Sequence, residues 1–453
     1  MKKNKLITPG YVVTFVLITS LFFLWAWPNT LNDVLIKQFQ KSLELSLTQT
    51  GFLPFALKCG YFFFSIPAGI FMQRKGYKSG IMLGLCLFAA GCLLFYPAAS
   101  TREYSVFLGA IFIMAGGAAF LEIGANSFVV SLGDKATSER RLNLAQSFNP
   151  LGGIAAAGAG TLFIFSGNEP SAADIGAMKS AGTYDTFLAG ENMRVFPTYL
   201  TLAAIVLVIA VFVWKAKFPK IDAAAGGGAT AKGSFRALLK YPHWYGGIIS
   251  QFFYLGAQLG TWSYLITYIQ QNSAMGEKQA GAFLTANMVI FMAGRFFSTW
   301  LMKYFKPTRL MGVYAIVNIA LVSVAILGSQ WGEAAFGVGL YGVSLPIPFT
   351  GVEAPVCIFA LIATTFFMSL MYPTNFASGV KGLGAHAKLG ASILVMSLIG
   401  GAILSFVMGR IADTGWANGQ IAAALVVPIF SYCVICWYAF SGSKPRGAAA
   451  LSD

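Results

Sequence analysis

The chain has 453 residues, of which 57% are hydrophobic and only 10% are charged, and its formal net charge is +15. A soluble protein carries about 25% charged residues, so the deficit excludes a water-exposed surface over most of the chain. Apolar runs of about 18 residues or more, each long enough to cross a bilayer, recur along the whole length. The composition therefore predicts a multi-pass integral membrane protein.

Twelve segments are predicted to cross the membrane as helices, which makes the expected fold all-α. They cover residues 11–40, 50–73, 79–98, 103–132, 140–166, 194–215, 242–272, 278–303, 308–328, 355–379, 388–410 and 418–440. Residues 216–240, charged and with an Ala/Gly-rich middle, are predicted to be a flexible cytoplasmic linker between an N-terminal six-helix bundle, 1–215, and a C-terminal one, 241–453. Residues 167–193 are predicted to form one large external loop. The insertion 329–354 is too rich in Gly and Pro for a regular helix, and we expect an external loop or partial cap.

Positive charge is distributed unevenly over the predicted loops. With a cytoplasmic N-terminus, the inside loops and tails hold 22 Lys and Arg residues and the outside loops hold six. This asymmetry follows the positive-inside rule and places both termini in the cytoplasm. The basic character therefore predicts topology and contact with the lipid bilayer, and not a nucleic-acid partner.

Cysteine usage gives no sign of a metal site or a cofactor. All six cysteines fall inside predicted spans. Cys433 and Cys436 form a CxxC pattern, but no His or acidic residue stands near them. We interpret the cysteines as small apolar packing residues and expect no metal and no cofactor.

Two acidic residues, Asp33 and Glu122, lie well inside predicted spans, whereas the other fourteen lie in loops, tails or span ends. An ionised side chain at the bilayer centre costs about 2.5–3.5 kcal/mol on insertion scales, so both acids should face a protein interior or an aqueous cavity. Burial raises the pKa of a carboxyl group, which suits an acid that takes up and releases a proton. The alternative is permanent pairing with Lys37, Lys58 or Arg295, the cations within spans.

Polar side chains recur at helical spacing in five of the predicted spans. They are Asn29, Asn32 and Lys37 beside Asp33 in the first, Asn126 one turn after Glu122 in the fourth, Gln146 and Asn149 in the fifth, Tyr254, Gln258 and Trp262 in the seventh, and Tyr372 and Asn375 in the tenth. Amides offer a donor and an acceptor together, and aromatic rings stack on the apolar face of a sugar. The pattern predicts a site for an uncharged, polyhydroxylated ligand. The alternative is that the amides join helices, at about 0.6 kcal/mol each.

The loop after the second span, 69-GIFMQRKGYK-78, resembles the G-x-x-x-D-R-x-G-R-K signature of the major facilitator superfamily, with Gln73 in place of the acid. Further segments resemble the fucose:proton symporter family of that superfamily, in order across nearly the whole chain. They include 31-LNDVL-35, 121-LEIGANSF-128, 142-LNLAQSFN-149 and 372-YPTNFA-377. The resemblance implies proton-driven monosaccharide transport, with Asp33 and Glu122 as the protonatable pair. It implies sugar ligands at Gln146, Asn149, Gln258, Trp262 and Tyr372.

Lys37 stands where the fucose transporters have a proline, and Lys58 where they have an aromatic residue. The resemblance therefore implies the monosaccharide class and leaves open fucose, glucose, galactose, mannose and N-acetylglucosamine. A sodium-coupled symporter or a passive facilitator is the alternative function. A sugar sensor or a membrane-embedded enzyme is less favoured, because no catalytic motif is present. We expect a monomer in the bacterial inner membrane.

Overall fold

The computed structural model describes residues 6–7, 10–45, 49, 52–164, 172–218, 234–275, 277–346 and 353–444. Helices account for nearly all of the regular structure in these ranges. The helices of the first half are α1 (Val12–Ser42), α2 (Phe52–Leu93), α3 (Phe95–Thr101), α4 (Tyr104–Ser131), α5 (Ser138–Gln146), α6 (Asn149–Ala159), α7 (Ala172–Ser180), α8 (Tyr184–Met193) and α9 (Val195–Lys215). A 3-10 turn, Lys135–Thr137, precedes α5, and a π-helical turn, Gly160–Ile164, extends α6.

The second half continues the same pattern of long and interrupted helices. Its helices are α10 (Phe235–Leu238), α11 (Pro242–Ser263), α12 (Leu265–Asn272), α13 (Glu277–Leu301), α14 (Pro307–Leu327), α15 (Gln330–Phe336), α16 (Val356–Met368), α17 (Met371–Val380), α18 (Ala387–Met396), α19 (Gly400–Ala412), α20 (Ile421–Ala424) and α21 (Val426–Trp437). Two short strands, β1 (Ser344–Pro346) and β2 (Glu353–Pro355), precede α16. Turns Gly384–His386, Ser397–Ile399 and Tyr438–Gly442 flank α18, α19 and α21.

Each predicted span coincides with a helix or with a run of consecutive helical segments, which confirms the predicted fold class. Nine helical stretches of the described chain are long and apolar enough to cross a membrane. One of them, Phe52–Thr101, contains both the second and the third predicted spans. The fifth and seventh predicted spans are not among the nine, and both are interrupted helices with polar side chains. These assignments together account for all twelve spans.

The signature loop after the second span forms a kink within α2. Gly76 has φ +83° and ψ 169°, a conformation that glycine adopts far more readily than other residues. Just beyond the kink, the Lys78 amino group donates to the carbonyl oxygens of Trp214 (2.7 Å) and Ala216 (2.9 Å). A cation at these carbonyls stabilises the negative end of the α9 dipole.

Glycines line the crossing of α2 and α4. A Cβ atom added at Gly117 would lie 2.4 Å from the Phe88 backbone nitrogen, and one at Gly60 would lie 2.6 Å from the Phe112 carbonyl oxygen. Only a residue without a side chain fits at such distances. The small residues of the fourth predicted span thus allow close approach of the two helices.

The two predicted external loops contain regular structure. Residues 167–193 include α7 and α8. In the insertion 329–354, the expectation of no regular helix is wrong for the first residues: α15 forms there because the Ser329 hydroxyl caps it, accepting from the Gly332 N–H at 3.0 Å. Further along, β1 pairs antiparallel with β2, with Leu345 opposite Ala354.

The described residues fall into two compact units. One contains residues 7–132 and 148–218, and the other contains residues 133–147 and 234–444. Within the second unit, α5 contacts the segment around α17: Glu139 forms an ion pair with Lys381 at 3.3 Å, and the Asn143 amide donates to the Thr374 hydroxyl at 3.3 Å. The position of the linker at 216–240 stays a prediction, because residues 219–233 lie outside the described part of the chain.

Candidate functional site

A carboxyl group is buried in the first unit. Glu122 of α4 is 4% exposed. The Tyr61 side chain, on α2, is buried near this carboxylate and near Asn29 of α1, and its hydroxyl group has no hydrogen-bond partner among the described residues. The Lys58 amino group donates to the Asn29 Oδ1 at 3.4 Å. We call Glu122, Tyr61, Asn29 and Lys58 the carboxylate cluster; it connects an ionisable group to polar groups on three helices.

Two further predicted ligands are buried in the same unit. Asn126 is fully buried one helical turn after Glu122, in the segment of α4 that contacts α2. Asn32 is 4% exposed, and its Oδ1 has no hydrogen-bond partner among the described residues. A buried amide oxygen without a donor is unfavourable by about 1–3 kcal/mol, so Asn32 is a good candidate to accept a hydrogen bond from a ligand or water.

The remaining predicted site residues of this unit are Asn149, Asp33 and Lys37. The Asn149 amide nitrogen donates to the Phe22 carbonyl oxygen at 2.9 Å, so it joins α6 to α1. Asp33 and Lys37 belong to α1, but their side chains lie outside the described part of the chain. Whether Asp33 pairs with Lys37 therefore stays a prediction.

Aromatic side chains gather in the second unit, where the seventh and tenth predicted spans lie. The rings of Tyr254 and Tyr372 meet edge-on with centroids 6.2 Å apart. The Trp262 ring meets Phe291 edge-on at 5.1 Å, and its Nε1 donates to the Thr365 hydroxyl at 3.3 Å. We call Tyr254, Trp262, Phe291 and Tyr372 the aromatic cluster. Rings that are held in this way can stack on a sugar without further ordering.

Amide side chains accompany the aromatic cluster with different roles. Gln258 is half-buried on α11, between Tyr254 and Trp262, and Gln146 is 4% exposed at the end of α5. Asn375 is fully buried and accepts a hydrogen bond from the Ser250 hydroxyl at 3.0 Å. This hydrogen bond joins α17 to α11, as expected if the amide side chains serve to hold helices together.

Arg295, on α13, adjoins the aromatic cluster and is 3% exposed. Its Nη1 donates to the Gln146 carbonyl oxygen at 2.8 Å, and its Nε donates to the Ser369 carbonyl oxygen at 2.9 Å. The guanidinium carbon lies 4.5 Å from the centroid of the Phe291 ring. Among the described residues, no Asp or Glu forms an ion pair with Arg295.

Several residues of these clusters were not predicted as site residues from the sequence. Tyr61 is one; Asn287 is another, since its Oδ1 accepts from the Thr365 hydroxyl at 2.6 Å. Lys58 and Arg295 entered the sequence analysis only as possible counter-ions. Their charge could have identified Lys58 and Arg295 as site residues, because a charged residue within a membrane span marks a functional site by default.

No group of three or more His, Cys, Asp or Glu residues that could hold a metal ion occurs in the part of the chain that the structure describes. The carboxylate cluster and the aromatic cluster, each in its own unit, contain carboxylate, amide, hydroxyl and aromatic groups. Interrupted helical spans that bury such groups define a multi-pass membrane transport protein.

The Major Facilitator Superfamily model matches residues 11–354, and the chain belongs to this superfamily. Within it, the chain belongs to the fucose–proton symporter family. It is 38% identical over 435 residues to the L-fucose-proton symporter of Escherichia coli (strain K12), across 95% of this chain and 93% of the relative. It is 32% identical to a glucose/galactose transporter of Brucella abortus biovar 1 (strain 9-941), across 96% of this chain and 95% of the relative.

The fold is also similar to a solved structure. The crystal structure of the Major Facilitator Superfamily transporter FucP in the outward conformation matches with a TM-score of 0.80 and 37% identity, across 95% of this chain and 98% of that one. The chain is accordingly a transporter and not an enzyme. The resemblance to the family, with the fold that it implies, is confirmed.

Proposed function

We propose that this chain is a symporter that couples the entry of a monosaccharide to the entry of protons by alternating access. The observation that carries the proposal is the carboxylate of Glu122, buried inside a membrane helix near the Tyr61 side chain. The names of the relatives, an L-fucose-proton symporter and a glucose/galactose transporter, support the substrate class.

Glu122 is proposed to carry the proton together with Asp33. A carboxylate that is 4% exposed inside a helix is unfavourable unless it is protonated or compensated. The Tyr61 hydroxyl can donate to the ionised form and accept from the protonated form. The carboxylate cluster can therefore accommodate both states of Glu122, which is what a residue that loads and releases a proton requires.

The sugar is proposed to bind at amide and aromatic side chains. In the second unit these are Gln146, Gln258, Tyr254, Trp262 and Tyr372, because rings and amides adjoin each other there. In the first unit they are Asn29, Asn32, Lys37, Asn126 and Asn149. Asn375 is retained as a weaker candidate, because the Ser250 hydroxyl already donates to its Oδ1.

The membrane potential provides the driving force for sugar accumulation in this mechanism. One positive charge that crosses a membrane potential of 100 mV releases about 2.3 kcal/mol. At about 1.36 kcal/mol for each tenfold ratio, this sustains roughly fifty-fold accumulation of sugar before any pH gradient is added. A passive facilitator would reach a ratio of about one under the same conditions.

We further propose that the chain is a monomer in the bacterial inner membrane with both termini in the cytoplasm. The excess of Lys and Arg in the predicted inside loops supports this orientation. Cysteine accessibility to an impermeant reagent, with single cysteines at each terminus, tests it: labelling in intact cells would contradict the orientation.

The decisive experiment measures the pH of a weakly buffered medium around energised vesicles that contain the purified protein. Fucose, glucose, galactose, mannose and N-acetylglucosamine are added in turn, with and without sodium. A proton symporter makes the medium alkaline when its substrate is added, in the absence of sodium. Uptake that requires sodium, or uptake with no proton movement, would replace the proposal with one of its alternatives.

A further inference from the structure

Pro150 and Pro373 each leave one backbone carbonyl group without its helical donor. Proline has no N–H, so the carbonyl four residues before it loses its helical donor. Pro150 stands four residues after Gln146, and Pro373 stands four residues after Ser369. Gln146 ends α5, and Ser369 follows the last residue of α16. The helices are interrupted at these points, and both carbonyl groups need another donor.

One side chain supplies both donors. Arg295 Nη1 reaches the Gln146 carbonyl oxygen at 2.8 Å, and Arg295 Nε reaches the Ser369 carbonyl oxygen at 2.9 Å. Gly294 makes this approach possible, because a Cβ there would lie only 2.5 Å from the Phe366 carbonyl oxygen. The guanidinium group has several donors in a rigid plane, so it fixes the two interruptions relative to each other.

This arrangement explains how a buried arginine is stabilised without an acidic partner among the described residues. The carbonyl groups at a helix C-terminus carry the negative end of the helix dipole. Arg295 caps two such ends and stacks on the Phe291 ring at 4.5 Å. Backbone and ring thus compensate the charge, and the position of the charge is fixed by the helices.

We propose that Arg295 is a positioning residue for the sugar site. One of the two carbonyl groups that it holds belongs to Gln146, a proposed sugar ligand. The other belongs to Ser369, three residues before Tyr372, which is also a proposed sugar ligand. Its charge also acts on the hydroxyl groups of Tyr254 and Tyr372. Arg295 therefore sets where Gln146 and Tyr372 present their side chains, without contacting the sugar. This inference rests on the proposed function.

The test compares R295K and R295M with the wild type in sugar counterflow, which does not depend on proton coupling. Lysine keeps the charge but lacks the planar pair of donors. We expect R295K to raise the KM for the sugar about tenfold, the loss of one charged hydrogen bond, with Vmax close to that of the wild type. R295M should raise KM further. Arg309, exposed at the start of α14, provides the matched control R309K, which should leave KM unchanged.

A second measurement separates positioning from general stability. If Arg295 acts through Gln146, the fold-changes in KM of R295K and Q146A will not multiply in the double variant. The variant P373A restores a donor for the Ser369 carbonyl, and in this background R295K should change KM less than in the wild type. A KM for R295K equal to that of the wild type, or fold-changes that multiply, would overturn the proposal.

Misfolding can be distinguished from a loss of positioning, because the folding of R295K and P373A can be checked by thermal unfolding in detergent before transport is measured. If R295M does not fold, R295K and the double variant still decide the question. A wild-type protein that moves none of the five sugars would refute the proposed function. A wild-type protein that transports, with R295K indistinguishable from it, would refute this inference alone.

Discussion

Replacing Glu122 by glutamine tests the central element of the proposed mechanism. Glutamine has nearly the shape of glutamate but cannot ionise, so the close packing of α4 against α2 should survive. Glu122 is 4% exposed and lies near the Tyr61 side chain, and an amide of the same shape can occupy the same space and form hydrogen bonds there. The substitution therefore removes the exchangeable proton and leaves the surrounding structure in place.

The expected effect is a loss of coupling with retention of exchange. At a membrane potential of 100 mV the wild type can reach roughly fifty-fold accumulation. Glu122→Gln should equilibrate sugar to a ratio of about one, because the potential no longer drives the cycle. Counterflow, in which internal sugar exchanges with external sugar, should continue at a rate similar to that of the wild type.

The assay follows labelled sugar into vesicles that are energised by a potassium gradient and valinomycin, and then counterflow in the same preparation. Glu103→Gln is the matched control, since Glu103 is an exposed acid at the start of the same helix. This control should accumulate sugar like the wild type. If Glu122→Gln still accumulates sugar against its gradient, Glu122 does not couple the proton and the reasoning fails.

Three further predictions concern contacts described above. Tyr61→Phe removes the hydroxyl near the Glu122 carboxylate and should change the pH dependence of uptake but not that of counterflow; identical pH profiles would show that this hydroxyl has no influence on the proton at Glu122. Gly117→Val places atoms against the α2 backbone and should lower the melting temperature by several degrees, a loss of about 1–3 kcal/mol, whereas Gly109→Ala, in open space on the same helix, should not. The ion pair of Glu139 and Lys381 should show a coupling free energy of about 0.2–1 kcal/mol in a double-mutant cycle of unfolding; strict additivity would show that it contributes nothing.

The positions of the membrane spans could be predicted from the sequence because apolar length and loop charge are local properties. The interruptions within spans were harder to predict. Pro373 indicates the interruption that precedes it, whereas the interruption at Tyr264, between α11 and α12, has no proline to indicate it. Such a break depends on tertiary packing, which the sequence does not show directly.

The candidate site was predictable in part for the same reason. Glu122 and Asn126 could be found because polar residues are rare in a helix rich in glycine and alanine. Tyr61 could not, since a tyrosine in an aromatic-rich span resembles its neighbours until its hydroxyl is placed beside a carboxylate. Arg295 was visible as a charge, but its role depends on carbonyl groups far away in the sequence, at residues 146 and 369.

The glycine-lined crossing of α2 and α4 has a consequence for proton transfer. At Gly60, next to Tyr61, the two backbones are in direct contact, and no compressible layer exists between them there. We therefore expect Tyr61 and Glu122, one on each helix, to keep the same separation during transport. Transport requires a change in the proton affinity of Glu122. On this reasoning, water and sugar cause that change when they enter and leave the site, and movement of Tyr61 away from Glu122 does not.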